Sequence, residues 1–113
     1  MKHGKFNARG CRVDGHWFDS QAEAARYAEL RLAEHIGQIR DLRIHPKYAI
    51  LPQFVAASGE RVRTIWYEAD FSYIENEKAV VEDVKGVRTA LFKLKRALFL
   101  QRFPEYEFWE VSA

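Results

Sequence analysis

The chain has 113 residues, of which 48% are hydrophobic and 30% charged, and its formal net charge is +2. These values predict one folded domain spanning residues 1–113, because the chain is long enough to bury a single core but too short for two. No apolar stretch reaches the roughly 20 residues of a membrane-spanning helix, and the N-terminus lacks the apolar core of a signal peptide, so we expect a cytoplasmic protein. The single cysteine, Cys11, excludes an internal disulfide and a cysteine-rich zinc site.

The charges are segregated along the sequence. Residues 1–12 and 86–104 contain lysines and arginines but no acid, whereas acids dominate between Glu68 and Asp83. Basic flanks around an acidic centre are typical of a protein that binds a phosphate backbone and holds a metal ion, although a polar helix surface and a basic tail would give the same pattern. We expect residues 1–10 to form a flexible arm that contacts DNA through Lys2, Lys5 and Arg9.

The first predicted element is a small hairpin, because Asp14-Gly15 suits a type I′ turn between two short runs of strand-forming residues. A helix over residues 20–36 follows. Ser20 and Glu23 form a capping box at its start, and Gly37 suits a left-handed cap at its end. We expect both sides of this helix to contact protein. One side carries an apolar stripe of Ala25, Ala28, Leu32 and Ile36, and the other carries Tyr27 and Leu30.

Three extended segments are predicted next. Residues 42–50 alternate in polarity, with a bend or a sheet edge at Pro46, and a loop covers residues 52–60. Residues 65–73 alternate between apolar and polar side chains, and the run at 79–85 is their partner strand. The last two segments are therefore expected to form a hairpin that carries acids on its polar face.

The connection within this hairpin decides where the acids lie. A two-residue turn at Asn76-Glu77 sets Asp70 directly opposite Asp83, whereas another turn length would separate the two faces. The same register sets Glu68 opposite Lys85. Like charges directly opposite one another are destabilising, so two aspartates there favour a divalent cation such as Mg²⁺, although a solvated polar face is the plain alternative. Lys85, on the face of Asp83, could stabilise the charge of a phosphorane or orient the attacking water.

The rest of the chain predicts a second helix and a last strand. Gly86 ends the preceding strand, a helix covers residues 89–102, and Pro104 stops it. Residues 106–111 alternate as a strand, which gives a small hairpin followed by α, β, β, β, α, β. The predicted fold class is an α/β domain with a mixed central sheet flanked by helices. The second helix would point Leu91, Leu94, Ala97 and Leu98 inward, and Lys93, Arg96 and Arg102 outward.

This order of elements, with acids on the central hairpin, resembles the restriction-endonuclease-like superfamily, written PD-(D/E)XK. Asp70 matches its first acid and Asp83-Val84-Lys85 matches the (D/E)XK element, although Ala69 replaces the proline of the signature. The chain is more closely similar to a phage-associated group of small proteins of previously unknown function, which look like compact nucleases related to junction resolvases. The segments that carry this similarity are residues 18–20, 29–30, 67–71, 80–86 and 89–95, with Glu23.

The resemblance implies a restriction-endonuclease-like core and Mg²⁺-dependent hydrolysis of DNA phosphodiesters, with Mn²⁺ as a substitute ion. It implies that Asp70, Asp83 and Glu23 are catalytic metal ligands and that Lys85 is a catalytic residue. Many superfamily members carry a glutamate at the position of Glu23, but here the same residue also completes the capping box. Glu82 should point to the face opposite Asp83, so we expect it to have a structural role.

The DNA substrate is expected to be recognised by shape, because no base-reading motif is visible. The resemblance implies a branch or a junction as the substrate, in phage recombination, replication or DNA processing. By analogy with junction resolvases, we expect a homodimer. Related sequences often carry Gln-Pro where this chain has His45-Pro46. The predicted DNA contacts after the catalytic strand are Arg88, Lys93, Lys95 and Arg96. The histidines, which lack metal-ligand spacing and are expected at the surface or in packing, are His3, His16, His35 and His45.

Two other classes of function remain open. A non-cleaving DNA-binding module on the same scaffold, recruiting recombination or replication proteins, would bind DNA in a salt-sensitive way without depending on Asp70 or Lys85. A protein-interaction adaptor would have no affinity for DNA. The presence of both aspartates and the lysine favours the nuclease, since a protein that only binds has no chemical need for all three.

Overall fold

The structure is a computed structural model that describes residues 9–112. Of the predicted basic arm, Lys2 and Lys5 lie outside the described residues, and Arg9 is exposed. No helix in the described part is long and apolar enough to cross a membrane. In chain order the elements are β1 (Cys11–Val13), β2 (His16–Phe18), α1 (Gln21–His35), β3 (Arg40–Ile44), β4 (Lys47–Leu51), β5 (Phe54–Val55), β6 (Arg61–Val62), β7 (Ile65–Glu68), β8 (Phe71–Glu75), β9 (Lys78–Lys85), α2 (Ala90–Arg102) and β10 (Tyr106–Ser112).

The centre of the fold is a four-stranded sheet with the strand order β10-β9-β8-β3. β9 runs antiparallel to β8 and parallel to β10, so the sheet is mixed. β3 continues through a bend at His45-Pro46 into β4, and β7 continues through a bend at Ala69-Asp70 into β8. The pairs β4–β7 and β5–β6 therefore extend the β3–β8 hairpin beyond the sheet. The predicted mixed α/β fold with its small N-terminal hairpin is confirmed.

The two helices cover opposite faces of the sheet. In β9, Val80 packs in a core cluster with Tyr27 and Leu30 of α1. The next residue, Val81, packs in a second cluster with Phe99 of α2. Neighbouring strand residues point to opposite faces, so the centre of the sheet is buried on both sides. A polar side chain placed there has to find its partner within the protein.

The ends of α1 follow the sequence prediction. The Ser20 side chain caps the helix and accepts a hydrogen bond from the Glu23 N–H at 3.1 Å. The Glu23 carboxylate accepts from the N–H of Asp19, also at 3.1 Å, so the return bond of the capping box goes one residue further back than expected. Gly37, with a φ of 82°, closes the other end. The two bonds at the start of the helix fix the buried Glu23 carboxylate in the first turn.

The helix sides that face the core agree only in part with the prediction. The predicted side of α1 with Tyr27 and Leu30 lies in the core, whereas the predicted apolar stripe is exposed. In α2, Leu91 and Leu94 are 60% and 58% exposed, whereas Phe92 and Phe99 are buried. Aromatic rings bury more apolar area than leucine, so they occupy the core positions. The predicted inward direction was wrong for Leu91, Leu94 and Ala97, whereas Leu98 packs against the core as predicted. The exposed stripe residues of α1 are Ala25, Ala28, Leu32 and Ile36.

The alternation of side chains reverses at Asp70. Tyr67 and Ala69 pack in the cluster under α2, but Phe71 and Tyr73 pack in the cluster under α1. An uninterrupted strand would keep Ala69 and Phe71 on one face, so the prediction of a single strand through this segment was wrong. The break leaves Asp70 at the end of the β8–β9 pairing, between the two faces of the sheet.

The α1 side of β9 holds a buried ion pair. Glu82 is fully buried, and its two oxygens accept from Arg26 Nε at 2.6 Å and Arg26 Nη2 at 2.9 Å. The Tyr73 hydroxyl donates to the same carboxylate at 2.6 Å. The bonds to Glu82 raise the pKa of Arg26 above its already high ordinary value. Glu82 therefore joins α1 to the sheet and points away from Asp83, as the alternation of β9 predicted.

Arg26→Ala is expected to lower the free energy of unfolding by about 3–5 kcal/mol, because it leaves the Glu82 carboxylate buried without its cation. Arg31→Ala is the matched control on the same helix. Arg31 pairs with Glu34 nearer the surface, and exposed pairs are worth about 1 kcal/mol or less. Urea unfolding followed by circular dichroism measures both variants, and equal losses would contradict a structural role for the buried pair.

Candidate metal centre

The turn between β8 and β9 sets the register of the acids. Asn76-Glu77 has φ angles of 53° and 64°, as a two-residue type I′ turn requires. The register runs from this turn to Phe71 opposite Glu82. One step further, the N–H of Asp70 donates to the carboxylate of Asp83. The predicted turn is confirmed, and it brings the two aspartates side by side.

Backbone hydrogen bonds hold the two aspartates in reciprocal positions. The Asp70 N–H donates to Asp83 Oδ1 at 3.0 Å, and the Val84 N–H donates to Asp70 Oδ2 at 2.6 Å. Each carboxylate is thus fixed by a main-chain group of the opposite strand. Main-chain donors lose no side-chain freedom when they bind, so this arrangement exists before any ligand arrives.

Asp83 is the more buried of the two acids, and two side chains contact it. The Tyr67 hydroxyl donates to Oδ2, and Lys85 Nζ lies 3.7 Å from the same oxygen. The Lys85 ammonium also lies over the Phe92 ring, 4.4 Å from its centroid, which orients it at the edge of the site. The predicted opposition of Glu68 and Lys85 is not found in the described strands, because β7 pairs with β4 and not with β9.

Helix α1 and the bend after β3 complete the cluster. One ligand atom from each of Glu23, His45 and Asp70 lies within 4.8 Å of the others. His45 Nε2 is 3.4 Å from Glu23 Oε1. Asp70 connects this group to Asp83 through its N–H, and Asp83 in turn lies beside Lys85. The residues that were predicted to be catalytic therefore lie around Asp70, and His45 joins them. The predicted residues are Glu23, Asp70, Asp83 and Lys85.

Burial makes this cluster unfavourable when its acids are ionised. Removal from water, together with the neighbouring Glu23 carboxylate, raises the pKa of Asp70 to about 8. Burial and the charge of Asp70 raise the pKa of Asp83 to about 6, although the Tyr67 hydroxyl and Lys85 act in the opposite direction. One ammonium group does not compensate the carboxylates around it. A divalent cation would favour the ionised form of each acid.

The predicted DNA-contacting residues near α2 are of two kinds. Arg88 Nε and Arg96 Nε both reach Glu110 of β10, at 2.9 and 3.2 Å. Lys93 is exposed, and Lys95 is half-buried. A single carboxylate therefore neutralises part of the basic cluster, while Lys93 presents its charge to solvent.

Two members of the site were missed by the sequence analysis. His45 was expected at the surface or in packing, and the sequence signal at this position was Pro46, which marks a bend. Tyr67 was treated as an ordinary strand residue, yet its hydroxyl binds Asp83. Both contacts join segments that are distant in sequence, so they depend on the path of the β3–β4 and β7–β8 ribbon. Spacing within one segment cannot reveal them.

Comparison with known proteins gives a family but no activity. Residues 3–113 match the family described as "Protein of unknown function (DUF1064)". The chain belongs to this family. Neither the curated proteins nor the solved structures gave a match. The family description names no substrate, so the chemistry of this DUF1064 member has to be argued from its own residues.

The residues of the site fit a hard divalent cation. Glu23, Asp70 and Asp83 supply carboxylate oxygens, which are the ligands that Mg²⁺ and Mn²⁺ prefer. The three acids are buried or half-buried, and Lys85 is the ammonium group beside them. The oxygen donors and the excess of negative charge therefore both favour the binding of a divalent cation.

The metal-free protein is expected to become less stable as the pH rises from about 4 to about 8. The folded state raises the pKa of Asp70 to about 8 and that of Asp83 to about 6, so it binds more protons than the unfolded chain in this range. Stability is fully present below the unfolded pKa and is lost as the pH rises through the folded values. Thermal unfolding in EDTA at a series of pH values measures the effect.

Asp70→Asn is the matched variant for this measurement, because an amide oxygen can still accept from the Val84 N–H and does not titrate. The difference in melting temperature between the variant and the wild type should grow in favour of the variant as the pH increases. A difference that stays constant from pH 5 to pH 8 would contradict the raised pKa values.

Proposed function

We propose that this protein is a metal-dependent endodeoxyribonuclease that hydrolyses DNA phosphodiesters. Two observations carry the proposal: the carboxylates of Glu23 and Asp70 converge within 4.8 Å, and the Asp70 N–H binds the neighbouring Asp83 carboxylate, which has Lys85 Nζ 3.7 Å away. Three acids and a lysine are the groups needed to hold a divalent ion beside a phosphate and to stabilise the charge that develops there. The alternative of a solvated polar face is disfavoured, since Glu23 and Asp83 are buried.

Glu23, Asp70 and Asp83 would hold Mg²⁺, or Mn²⁺ in its place. When bound, the ion polarises a phosphoryl oxygen and lowers the pKa of a coordinated water. The protein contributes fixed positions, because the Asp19 N–H holds Glu23 at 3.1 Å and the Val84 N–H holds Asp70 at 2.6 Å. Preorganised ligands of this kind keep the reacting groups in a productive geometry.

Lys85 is the cation closest to Asp83 in this site. Its ammonium is half-buried and rests on the Phe92 ring, so it is oriented without being fully neutralised. An ammonium in this position can stabilise the pentavalent phosphorus intermediate or orient the attacking water. The Tyr67 hydroxyl donates to Asp83 and fixes the orientation of this carboxylate.

The likeness to the PD-(D/E)XK superfamily supports the same chemistry. The αβββαβ order of α1, β3, β8, β9, α2 and β10 agrees with it, as do the two aspartates at the end of the central hairpin. The resemblance to resolvases is the basis for two further parts of the proposal. These are a role in phage recombination, replication or DNA processing, and assembly as a homodimer. Lys93, Lys95, Arg88 and Arg96 would contact the phosphate backbone, with Lys2, Lys5 and Arg9 reaching further along the DNA.

Cleavage of labelled DNA tests the proposal directly. Purified protein with Mg²⁺ or Mn²⁺ should cut branched DNA in preference to a linear duplex, and EDTA should stop the reaction. Asp70→Asn and Asp83→Asn should reduce cleavage below detection, because each removes a metal ligand. Lys85→Ala should reduce the rate by roughly 10²–10³-fold, as the loss of one charge-stabilising donor typically does.

Lys78→Ala is the control for Lys85, since Lys78 lies on the same strand but pairs with Glu107 at the far end. Glu60→Gln is the control for the acids, because Glu60 is exposed in the β5–β6 hairpin. Both should cut at wild-type rates. If DNA is bound but no cofactor supports cleavage, the non-cleaving DNA-binding module is the better assignment; if DNA is neither bound nor cut, the adaptor is.

Glu110→Gln is expected to tighten DNA binding, because it releases the guanidinium groups of Arg88 and Arg96 from their shared carboxylate. Each additional phosphate that these groups neutralise should steepen the dependence of log K on log salt by about 0.9. Glu107→Gln on the same strand is the control, since Glu107 pairs with Lys78 instead. Fluorescence anisotropy in EDTA measures binding without cleavage, and equal affinities for the two variants would exclude Arg88 and Arg96 from the DNA path.

A further inference from the structure

We propose that His45 is a nitrogen ligand of the metal centre and that it makes the site select imidazole-preferring transition-metal ions over Mg²⁺. This inference rests on the proposed metal site and names the class of ion that the site takes. Its geometric basis is the convergence of His45 with Glu23 and Asp70, whose ligand atoms lie within 4.8 Å of one another. Ligands of one octahedral ion with bonds of about 2.1 Å are about 3 Å apart when adjacent and about 4.2 Å when opposite.

The separations in this group are therefore close to those of a shared ion. His45 Nε2 and Glu23 Oε1 are 3.4 Å apart, which is within the range for two ligands of the same ion. The most distant pair needs to approach by well under an ångström to reach the separation of opposite ligands. Side-chain rotation alone provides a movement of this size.

The backbone directs the His45 ring to this point. Its N–H donates to the Asp70 carbonyl at 2.9 Å, and the carbonyl of Pro46 accepts from the Ala69 N–H at 3.0 Å. These two bonds tie the bend after β3 to the bend before β8. His45 is consequently held opposite Asp70 by main-chain contacts and does not depend on a flexible side chain for its position.

The conformation of His45 is also unusual. Its φ is 55°, a left-handed value that is sparsely populated by residues other than glycine. The other non-glycine residues with positive φ in the described chain lie in hairpin turns or in the bulge of β3. Strained backbone of this kind persists where the surrounding structure enforces it, and it is frequent at ligand sites.

The His45 ring packs against protein on one side and is still partly exposed to solvent. The Phe18 ring packs against it with centroids 5.6 Å apart, and 28% of the His45 side chain is exposed. A histidine that served packing alone would have no reason to aim Nε2 at a buried carboxylate. A simple ion pair with Glu23 is the competing explanation, and it predicts no preference among metal ions.

The donor set decides the class of ion. Mg²⁺ binds oxygen ligands and keeps several waters, so an imidazole adds little to its affinity. Imidazole suits transition-metal ions such as Fe²⁺, Co²⁺ and Zn²⁺, and affinity for a nitrogen-containing site increases from Mn²⁺ to Cu²⁺ before it falls at Zn²⁺. A site of two or three carboxylates and one imidazole should therefore prefer Co²⁺ or Zn²⁺ to Mg²⁺, and His45 should be the source of the preference.

Isothermal titration calorimetry of the tag-free chain with CoCl₂, ZnCl₂ and MgCl₂ tests this inference. His45→Gln keeps a polar side chain and removes the imidazole. It should weaken Co²⁺ and Zn²⁺ binding roughly tenfold or more, since even the loss of an outer-shell partner of a metal ligand costs about 10–100-fold in affinity. Its Mg²⁺ affinity should stay within about threefold of wild type, because magnesium does not depend on the nitrogen.

His35→Gln is the matched control for adventitious binding to histidine. His35 is exposed in the last turn of α1, twelve residues after Glu23, and lies about 18 Å along the helix from it. This variant should bind all three ions as the wild type does. His45→Asn provides a second removal of the imidazole, and circular dichroism verifies that each variant is folded.

The ratio of Co²⁺ to Mg²⁺ affinity within each variant is the deciding quantity, because partial unfolding would weaken both ions together. An unchanged ratio in both His45 variants would overturn the inference and leave the ion-pair explanation. It would not affect the proposed function, which is judged by whether DNA is cut with Mg²⁺ and by the Asp70 and Asp83 variants. If the wild-type protein cuts no DNA but the affinity ratio changes in the His45 variants, the nuclease is contradicted and His45 is still a metal ligand.

Discussion

The pairing of Asp70 with Asp83 across the end of the β8–β9 hairpin is the constraint on which the site depends. Main-chain N–H groups hold both carboxylates, so their proximity follows from strand register and not from chance side-chain rotamers. The register follows in turn from a two-residue turn with two positive φ angles. A local feature of the sequence thus determines where the acidic side chains meet, and the core on both faces of the sheet prevents them from separating.

Glu82 and Asp83, the two neighbouring acids of β9, differ in how far their buried charges are compensated by neighbouring groups. Glu82 is paired with the guanidinium of Arg26 and the hydroxyl of Tyr73, so its charge is compensated permanently. Asp83 receives a tyrosine hydroxyl and a more distant ammonium, and it lies next to another aspartate. A carboxylate with a purely structural role, such as joining a helix to the sheet, would be expected to have its charge compensated as fully as that of Glu82. The less compensated carboxylate is the one whose ionised form an external cation would favour.

Features governed by neighbours in sequence could be predicted well. Asp14-Gly15 and Asn76-Glu77 have the expected left-handed turn angles, and α1 begins after Ser20 and ends before Gly37. Features that depend on competition between segments could not. Phe92 and Phe99 of α2 occupy the core in place of Leu91 and Leu94, because ring size decides the packing only when both layers are present.

The residues of the site also fall into those that neighbours in sequence position and those that contacts between distant segments position. Asp70, Asp83 and Lys85 lie on one hairpin, so period and turn length were enough to bring them together. Glu23 lay at a capped helix start, where the sequence offered both a structural and a catalytic explanation, and the structure brings it to Asp70. His45 depends on two bends meeting, which no single segment encodes. The reversal of alternation at Asp70 has the same origin, since it arises where the ribbon leaves the sheet.

Anomalous diffraction from crystals soaked in MnCl₂ is the most direct measurement of the central claim, that the two aspartates share one ion. The account predicts a single strong peak about 2.0–2.4 Å from an oxygen of Asp70 and an oxygen of Asp83, a range typical of hard divalent ions. It also predicts that the peak disappears in Asp83→Asn. Carboxylates that point to different sides of the sheet, or a peak bound elsewhere with both aspartates free of metal, would contradict it.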